Sequence, residues 1–481
     1  MESAGPSAPR HRAGGFGRLE FVTGLHASGL LIFTAWDFGG ETDFARIVIS
    51  TWGSLAVLIT GAACLYRFKR QARLPSAMRW LWPLLLFNAV VVASTFNPSF
   101  TRSIAGNTMM LVSGGSPSAW PSSARPVLSL QSLWQFDAIF LTCFNLAIVV
   151  TTRRLLRWLL FVLTVNALAL AVFGTFQKLS AASGLYFGLQ RSPNPTFFAT
   201  FIYHNHWGAF MVLSISAALG LLFHHLRGQR TDGARHSPAL FSLVAVLFMA
   251  ASVPLSTSRS CTLLVILLLN GACLHRIWQS LGQIPVNHSR FRPVLLALIV
   301  FCAGVAGIYL LGRRAIEVRL DTTRLQLDQM RRQGDLGDRT LLYADTWQMA
   351  RDRLWWGWGL GAYGTVFPIY NTQRAVEPWF PPPFYTHAHS DWLQAVAEVG
   401  LSGTVLIILL AAVPLVALRR IWWCVPLDPL PGYLLFGCAL VALYAAVEFP
   451  FANPAVMSLF WLCFFVAVRH AFLDARATAS S

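Results

Sequence analysis

The chain has 481 residues, of which 55% are hydrophobic and only 12% charged, roughly half the charged share of a soluble domain. Apolar runs of a length that crosses about 30 Å of hydrocarbon recur along it, which excludes a soluble globule, and the alternating pattern of a membrane β-barrel is absent. The net charge of +17 is scattered between the apolar runs, where basic loops set topology, so a nucleic-acid partner is excluded too.

Residues 1–19 are polar and basic with Pro, Gly and Ser. They are expected to form a disordered cytoplasmic tail, since a cleavable signal peptide needs an apolar centre. Twelve spans follow, near residues 20–37, 47–66, 78–96, 134–151, 156–174, 197–223, 238–256, 260–275, 293–311, 399–418, 430–448 and 453–470. The expected fold is an all-α polytopic membrane protein. Its divisions are 1–19, spans one to nine over 20–311, a large outer loop with amphipathic helices over 312–398, spans ten to twelve over 399–470, and a cytoplasmic tail over 471–481. The segment 97–133, rich in Ser, Pro and Gly, is expected to be irregular. None of the eight cysteines has C-x-x-C spacing, which argues against a disulfide framework or a thiolate metal site.

Basic residues cluster in alternate connections: Arg67 to Arg79, Arg153 to Arg157, Arg227 to Arg235, Arg276 to Arg292, and Arg419 with Arg420. The positive-inside rule puts these on the cytoplasmic side with both termini. The loop 312–398 and the connection Glu448–Pro454 then face outward.

Four polar elements fall on that outer side. Tyr203-His204-Asn205-His206 opens a span, and Asn205 either binds sugar or phosphate or caps the helix. Ser256-Thr257-Ser258-Arg259 joins two spans by a short turn, with hydroxyls able to share an anion beside Arg259. From Asp338 to Leu354 the pattern predicts an amphipathic helix. Arg339, Leu342, Tyr343, Trp347, Met349, Ala350 and Leu354 share its apolar arc, with Asp345, Gln348, Arg351 and Asp352 opposite. A guanidinium held against the protein body suits an anion such as pyrophosphate, which its planar fork grips with paired hydrogen bonds. Next comes Gly357-Trp358-Gly359-Leu360-Gly361, which lacks the Lys-Ser/Thr of a phosphate loop. Its glycines permit a sharp turn, and Trp355, Trp356, Trp358, Trp379, Phe380 and Phe384 suit a membrane-interface belt.

The fourth element is Thr386-His387-Ala388-His389-Ser390-Asp391-Trp392. A helix starting at Ser390 or Asp391, capped by Ser390, would leave His389 at its positive end. That field attracts anions and disfavours imidazolium, as a general base requires. Gly400 and Gly403 would share one helix face and admit a neighbouring helix, and Glu398 is expected to make a structural hydrogen bond. The pairs His204/His206 and His387/His389 invite a zinc reading, but no third ligand has the expected spacing.

His389, Ser390, Gly400 and Gly403 fit, without a gap, the histidine motif of the O-antigen ligase and polymerase superfamily, which the chain resembles. Ser256, Ser258 and Arg259 look like the family's Ser-x-Ser/Thr-Arg element, Arg339 like its arginine before the glycine-rich turn, and Asn205 like its asparagine. The resemblance implies a fold similar to the C-type membrane glycosyltransferases and metal-independent, cofactor-free transfer of a glycan from undecaprenyl pyrophosphate. Transfer would occur at the periplasmic face of the bacterial inner membrane. It further implies His389 as general base and Arg259 and Arg339 as pyrophosphate ligands, with His387, Asn205, Ser258 and Ser390 as secondary substrate contacts. The histidine motif has the ligase form, which makes the lipid A core the expected acceptor. Another carrier-linked glycan, as in a polymerase, is next, then protein Ser or Thr. A transporter is the alternative from another class, and it would show charged or broken helices at mid-membrane. His26 is the one histidine well inside a span.

Overall fold

The computed structural model describes residues 17–71, 73–105, 108–113, 120–228, 238–283, 338–372, 384–422 and 428–479. The expected ninth span, the loop stretch 312–337, most of the tail 1–19, and the run from Trp379 to Pro383 lie outside the described residues.

The chain is a polytopic helical membrane protein. Its described helices are α1 (Arg18–Trp36), α2 (Asp43–Lys69), α3 (Trp82–Thr95), α4 (Pro126–Val149), α5 (Arg153–Leu179), α6 (His204–Gly228), α7 (Pro238–Leu255), α8 (Arg259–Gln283), α9 (Asp338–Asp352), α10 (Tyr363–Val366), α11 (Asp391–Trp422), α12 (Pro429–Tyr444) and α13 (Pro454–Ala479). Ten helical segments are long and apolar enough to cross a membrane, and α12 is a shorter apolar helix. With the ninth span undescribed, each of the other eleven expected spans has its helix.

The boundaries move where caps and packing override hydropathy. The sixth span begins at His204, because 197–203 form turns. The tenth begins at Asp391, so the histidine motif runs directly into it. The segment expected to be irregular holds an antiparallel hairpin, β1 (Phe100–Ala105) with β2 (Thr108–Ser113), and the first turns of α4. The expected C-terminal tail is helix up to Ala479. Helices α7 and α8 are separate, joined through Thr257 in the left-handed region.

Helices α6 and α13 are the most enclosed of the described spans. Aromatic rings of α4 and α13 interlock beside them, with Phe140 edge-on to Trp461 at 4.8 Å and to Phe465 at 5.4 Å. Polar side chains fasten spans where water is absent: Asn145 of α4 donates to the Ala56 carbonyl and accepts from Thr60 Oγ1, both at 2.8 Å. His26 does similar work, with Nε2 2.9 Å from the Trp52 carbonyl and its ring stacked on that indole.

Helix α11 is broken at Gly400, whose φ of 67° and ψ of −176° lie outside helical space. Leu401 and Ser402 can no longer donate to Ala397 and Glu398, their partners in an unbroken helix. The loop after α9 takes all four groups. Trp358 N and Gly359 N donate to the Ala397 and Glu398 carbonyls at 3.0 and 2.7 Å, and Leu401 N and Ser402 N donate to Leu354 and Trp355 at 2.8 and 3.2 Å. Gly400 and Gly403 therefore do not share one continuous helix face, and the neighbour at Gly400 is loop backbone. Trp358 departs from the expected interfacial belt as well: it is buried, stacks on Phe100, and donates from Nε1 to the Met349 carbonyl.

A methyl group on Gly400 would sit 2.3 Å from the Trp355 backbone, whereas one on Gly61 would meet nothing within 4 Å. Gly400→Ala is expected to destabilise by about 2 kcal/mol or more. It should lower the thermal midpoint of the detergent-solubilised protein, and Gly61→Ala should leave that midpoint in place.

Candidate functional site

Glu448, in the connection between α12 and α13, is the centre of the site. Its side chain is 4% exposed. Its backbone is pinned by α11: Asp391 N donates to the Ala445 and Glu448 carbonyls at 2.9 and 3.1 Å, and Asp391 Oδ2 accepts from Phe451 N at 2.8 Å. From α6 and the connection between α1 and α2 come two more ties. His206 Nε2 lies 3.2 Å from the Phe449 carbonyl, and Glu41 holds both His206 Nδ1, at 2.7 Å, and Asn453 Nδ2, at 2.8 Å.

Around the Glu448 carboxylate stand four residues from three separate parts of the chain. Arg339 Nη2 donates to Oε1 at 2.7 Å, and Asn205 Nδ2 donates to the same oxygen at 3.0 Å. Tyr203 Oη donates to Oε2 at 3.5 Å, and His389 Nδ1 stands 3.6 Å from Oε2. Burial works to raise the Glu448 carboxyl, but His389 and the Arg339 guanidinium outweigh it and hold the group below the ordinary glutamate range. The Arg339 side chain is 52% exposed, so part of its guanidinium remains open beyond the pair.

Helix α9 delivers Arg339 and Tyr343 together, four residues apart on one face. Arg339 Nη1 donates to the Val447 carbonyl at 3.3 Å, and Tyr343 Oη donates to the His389 carbonyl at 2.9 Å. The expected arc holds for Arg339, Leu342, Tyr343, Met349 and Ala350. It fails for Trp347, which is exposed, and for Asp345, which is buried and accepts from Thr372 N and Oγ1 at 2.9 Å.

His389 directly precedes α11, as its motif predicts. Ser390 caps that helix, its Oγ accepting from Leu393 N at 3.3 Å. His389 itself has φ of 52°, a strained setting for a non-glycine residue and one that clusters at functional sites. The Phe449 ring seats His387 and His389 together with Tyr203 and His206. Tyr203 and His387 stack on it at 5.4 and 4.8 Å, and His206 and His389 meet it edge-on at 5.1 and 4.7 Å. Burial pushes the His387 imidazole down to about 4, with nearby His206 acting in the same direction.

Asn205 is not a helix cap. Its Oδ1 accepts from Ser258 Oγ at 2.6 Å while Nδ2 reaches Tyr203 and Glu448, so it ties the α7–α8 turn to the carboxylate. The hydroxyls expected to share an anion are committed to protein, Ser258 to Asn205 and Ser256 to the Val253 carbonyl. Arg259 is exposed as the first residue of α8, next to Ser258. His204 Nδ1 pairs with Thr196 Oγ1 at 2.6 Å. Glu398 makes the structural bonds expected of it, accepting from Gly361 N, Tyr363 N and Gln394 Nε2. Among the described residues, neither histidine pair belongs to a cluster with metal-binding geometry.

A cavity of about 1110 Å³ opens beside the cluster between α2, α4, α11 and α13. His387, Gln394, Glu398, Glu41, Arg46 and Trp461 are among its lining residues, and His389, Arg339 and Glu448 are not.

Residues 244–408 match the family model described as O-antigen ligase. That part of the chain is similar to the O-antigen ligase family. No curated protein matches the chain. The matched segment contains Ser258, Arg259, Arg339, His387, His389 and Ser390, and it leaves out Asn205 and Glu448. Sequence reasoning placed Glu448 in an outward connection and gave it no role. The available signal was a lone carboxylate between Val447 and Phe449, on the same side as the arginines and histidines.

His387 is depressed in the folded state relative to its ordinary value of 6.5. The unfolded chain therefore binds the extra proton first as the pH falls. The stability contributed by neutral His387 is complete above about pH 6.5 and is lost as the pH drops toward 4, up to about 3 kcal/mol. Thermal midpoints measured from pH 7.5 to 4.5 should fall less steeply in His387→Phe than in the unaltered protein.

Proposed function

We propose that the chain is an O-antigen ligase-like glycosyltransferase of the bacterial inner membrane. It moves a glycan from undecaprenyl pyrophosphate to an acceptor hydroxyl, that of the lipid A core, at the periplasmic face, and both termini are cytoplasmic. The observation that carries this reading is the convergence of Arg339, His389 and Asn205 on one buried carboxylate at a helix N-terminus.

Glu448 faces Nδ1 of His389, which leaves Nε2 for the acceptor. In the reaction His389 Nε2 takes the proton of the acceptor hydroxyl as its oxygen bonds to the anomeric carbon. The bond from that carbon to the pyrophosphate oxygen breaks on the opposite face, so the centre inverts. Pyrophosphate leaves with the electron pair, and Arg259 and the open part of the Arg339 guanidinium stabilise its charge. Glu448 holds the imidazole and balances the imidazolium that forms, the role of an acid behind a histidine base. No cofactor or metal takes part in these steps, and the acceptor glycan occupies the cavity beside His387.

The test is mass analysis of products from the purified chain given carrier-linked repeat units with and without lipid A core. Product only with core supports the ligase reading; elongated carrier-linked glycan without core replaces it with a polymerase. His389→Ala is expected to lower transfer by about 100-fold or more, and Arg259→Ala and Arg339→Ala by roughly 100- to 1,000-fold each. Undiminished transfer by His389→Ala would remove the general-base assignment.

A further inference from the structure

At the opposite end of the bundle, α6, α12 and α13 bring a second polar cluster together. From Asn205 to His224 along α6 is about 28 Å at the rise of an α-helix. His470 and Asp474 lie one turn apart on α13, and Asp428 caps α12. One ligand atom from each of Asp428, His470 and Asp474 falls within 4.8 Å of the others. His470 is fully buried, and neither ring nitrogen makes a hydrogen bond. Nδ1 stands 3.3 Å from Asp474 Oδ2, within ion-pair distance.

We propose that this cluster is a structural binding site for a divalent transition-metal ion of the zinc class. A fully buried imidazole whose Nε2 has no partner, and whose Nδ1 meets only the Asp474 carboxylate, is costly. Two carboxylates converging on it compound the problem. A metal ion answers both, taking a nitrogen lone pair and one oxygen from each acid, and an imidazole with carboxylates suits zinc. The surroundings are those of an outer ligand shell. His224 Nδ1 hydrogen-bonds Asp428 Oδ2, Leu430 N donates to Asp428 Oδ1 at 2.9 Å, Arg153 donates to Asp474 Oδ1, and Asp428 N donates to Asp474 Oδ2 at 3.3 Å. The ion clamps the end of α6 and the start of α12 to α13. It lies too far from His389 to act on the transferred glycan.

The test uses the full chain in detergent with no histidine tag, stripped with chelator, incubated with zinc sulfate and desalted. Elemental analysis is expected to give roughly one zinc per chain, with a raised thermal midpoint. His470→Gln and Asp474→Asn should each reduce bound zinc at least roughly tenfold, and the double variant His387→Gln/His389→Gln should retain it. Cobalt loaded into the unaltered chain gives a second readout that needs no variant to fold, namely visible absorption that zinc bleaches. Absence of zinc and of that absorption in the unaltered chain would overturn the site, as would full zinc retention in His470→Gln. Loss of zinc in the His387/His389 double variant alone would move the metal to the other end of the bundle.

Discussion

A carboxylate buried at the edge of a membrane bundle is tolerable only when opposite charge and hydrogen-bond donors surround it. Glu448 meets that condition by drawing on α6, α9 and the turn before α11 at once. Segments more than one hundred residues apart in sequence are held together because each supplies part of its neutralisation. The same pairing keeps Arg339 oriented, with Nη2 on the acid, Nη1 on the Val447 carbonyl and about half of the side chain exposed.

The scaffold behind this arrangement is a backbone exchange. Because α11 breaks at Gly400, four peptide groups lose their helical partners, and the loop after α9 takes all of them. This fixes α9 relative to α11, and so fixes Arg339 relative to His389. Phe449 does the equivalent work for side chains: one ring seats two histidines from the α11 entry together with His206 and Tyr203 of the α6 entry. Membrane packing usually relies on small residues and shape; at this end it relies on aromatic faces and backbone donors.

Much of the site was legible in advance because motif residues sit at helix entries, where sequence signals are strongest. Ser390 as a cap, His389 just outside the helix, Arg339 on the inner face of α9 and the structural role of Glu398 all follow from local pattern. Less legible were residues whose partners are distant in sequence. Asp345 looked solvated until Thr372 folded over it, and Trp358 looked interfacial until Phe100 covered it. The hydroxyls of Ser256 and Ser258 looked available until Val253 and Asn205 took them.

The sequence by itself determined the membrane class, all the spans that the structure describes, and the polar side chains able to do chemistry. Hydropathy, capping and motif spacing are properties of short windows, and eleven helical segments follow from them. Tertiary structure alone decided that Glu448 is the hub, that Asn205 is a link rather than a cap, and that α11 breaks to receive a loop. Each depends on contacts between residues far apart in the chain, which no window contains. A carboxylate declares its partners only when the helices that carry them have packed.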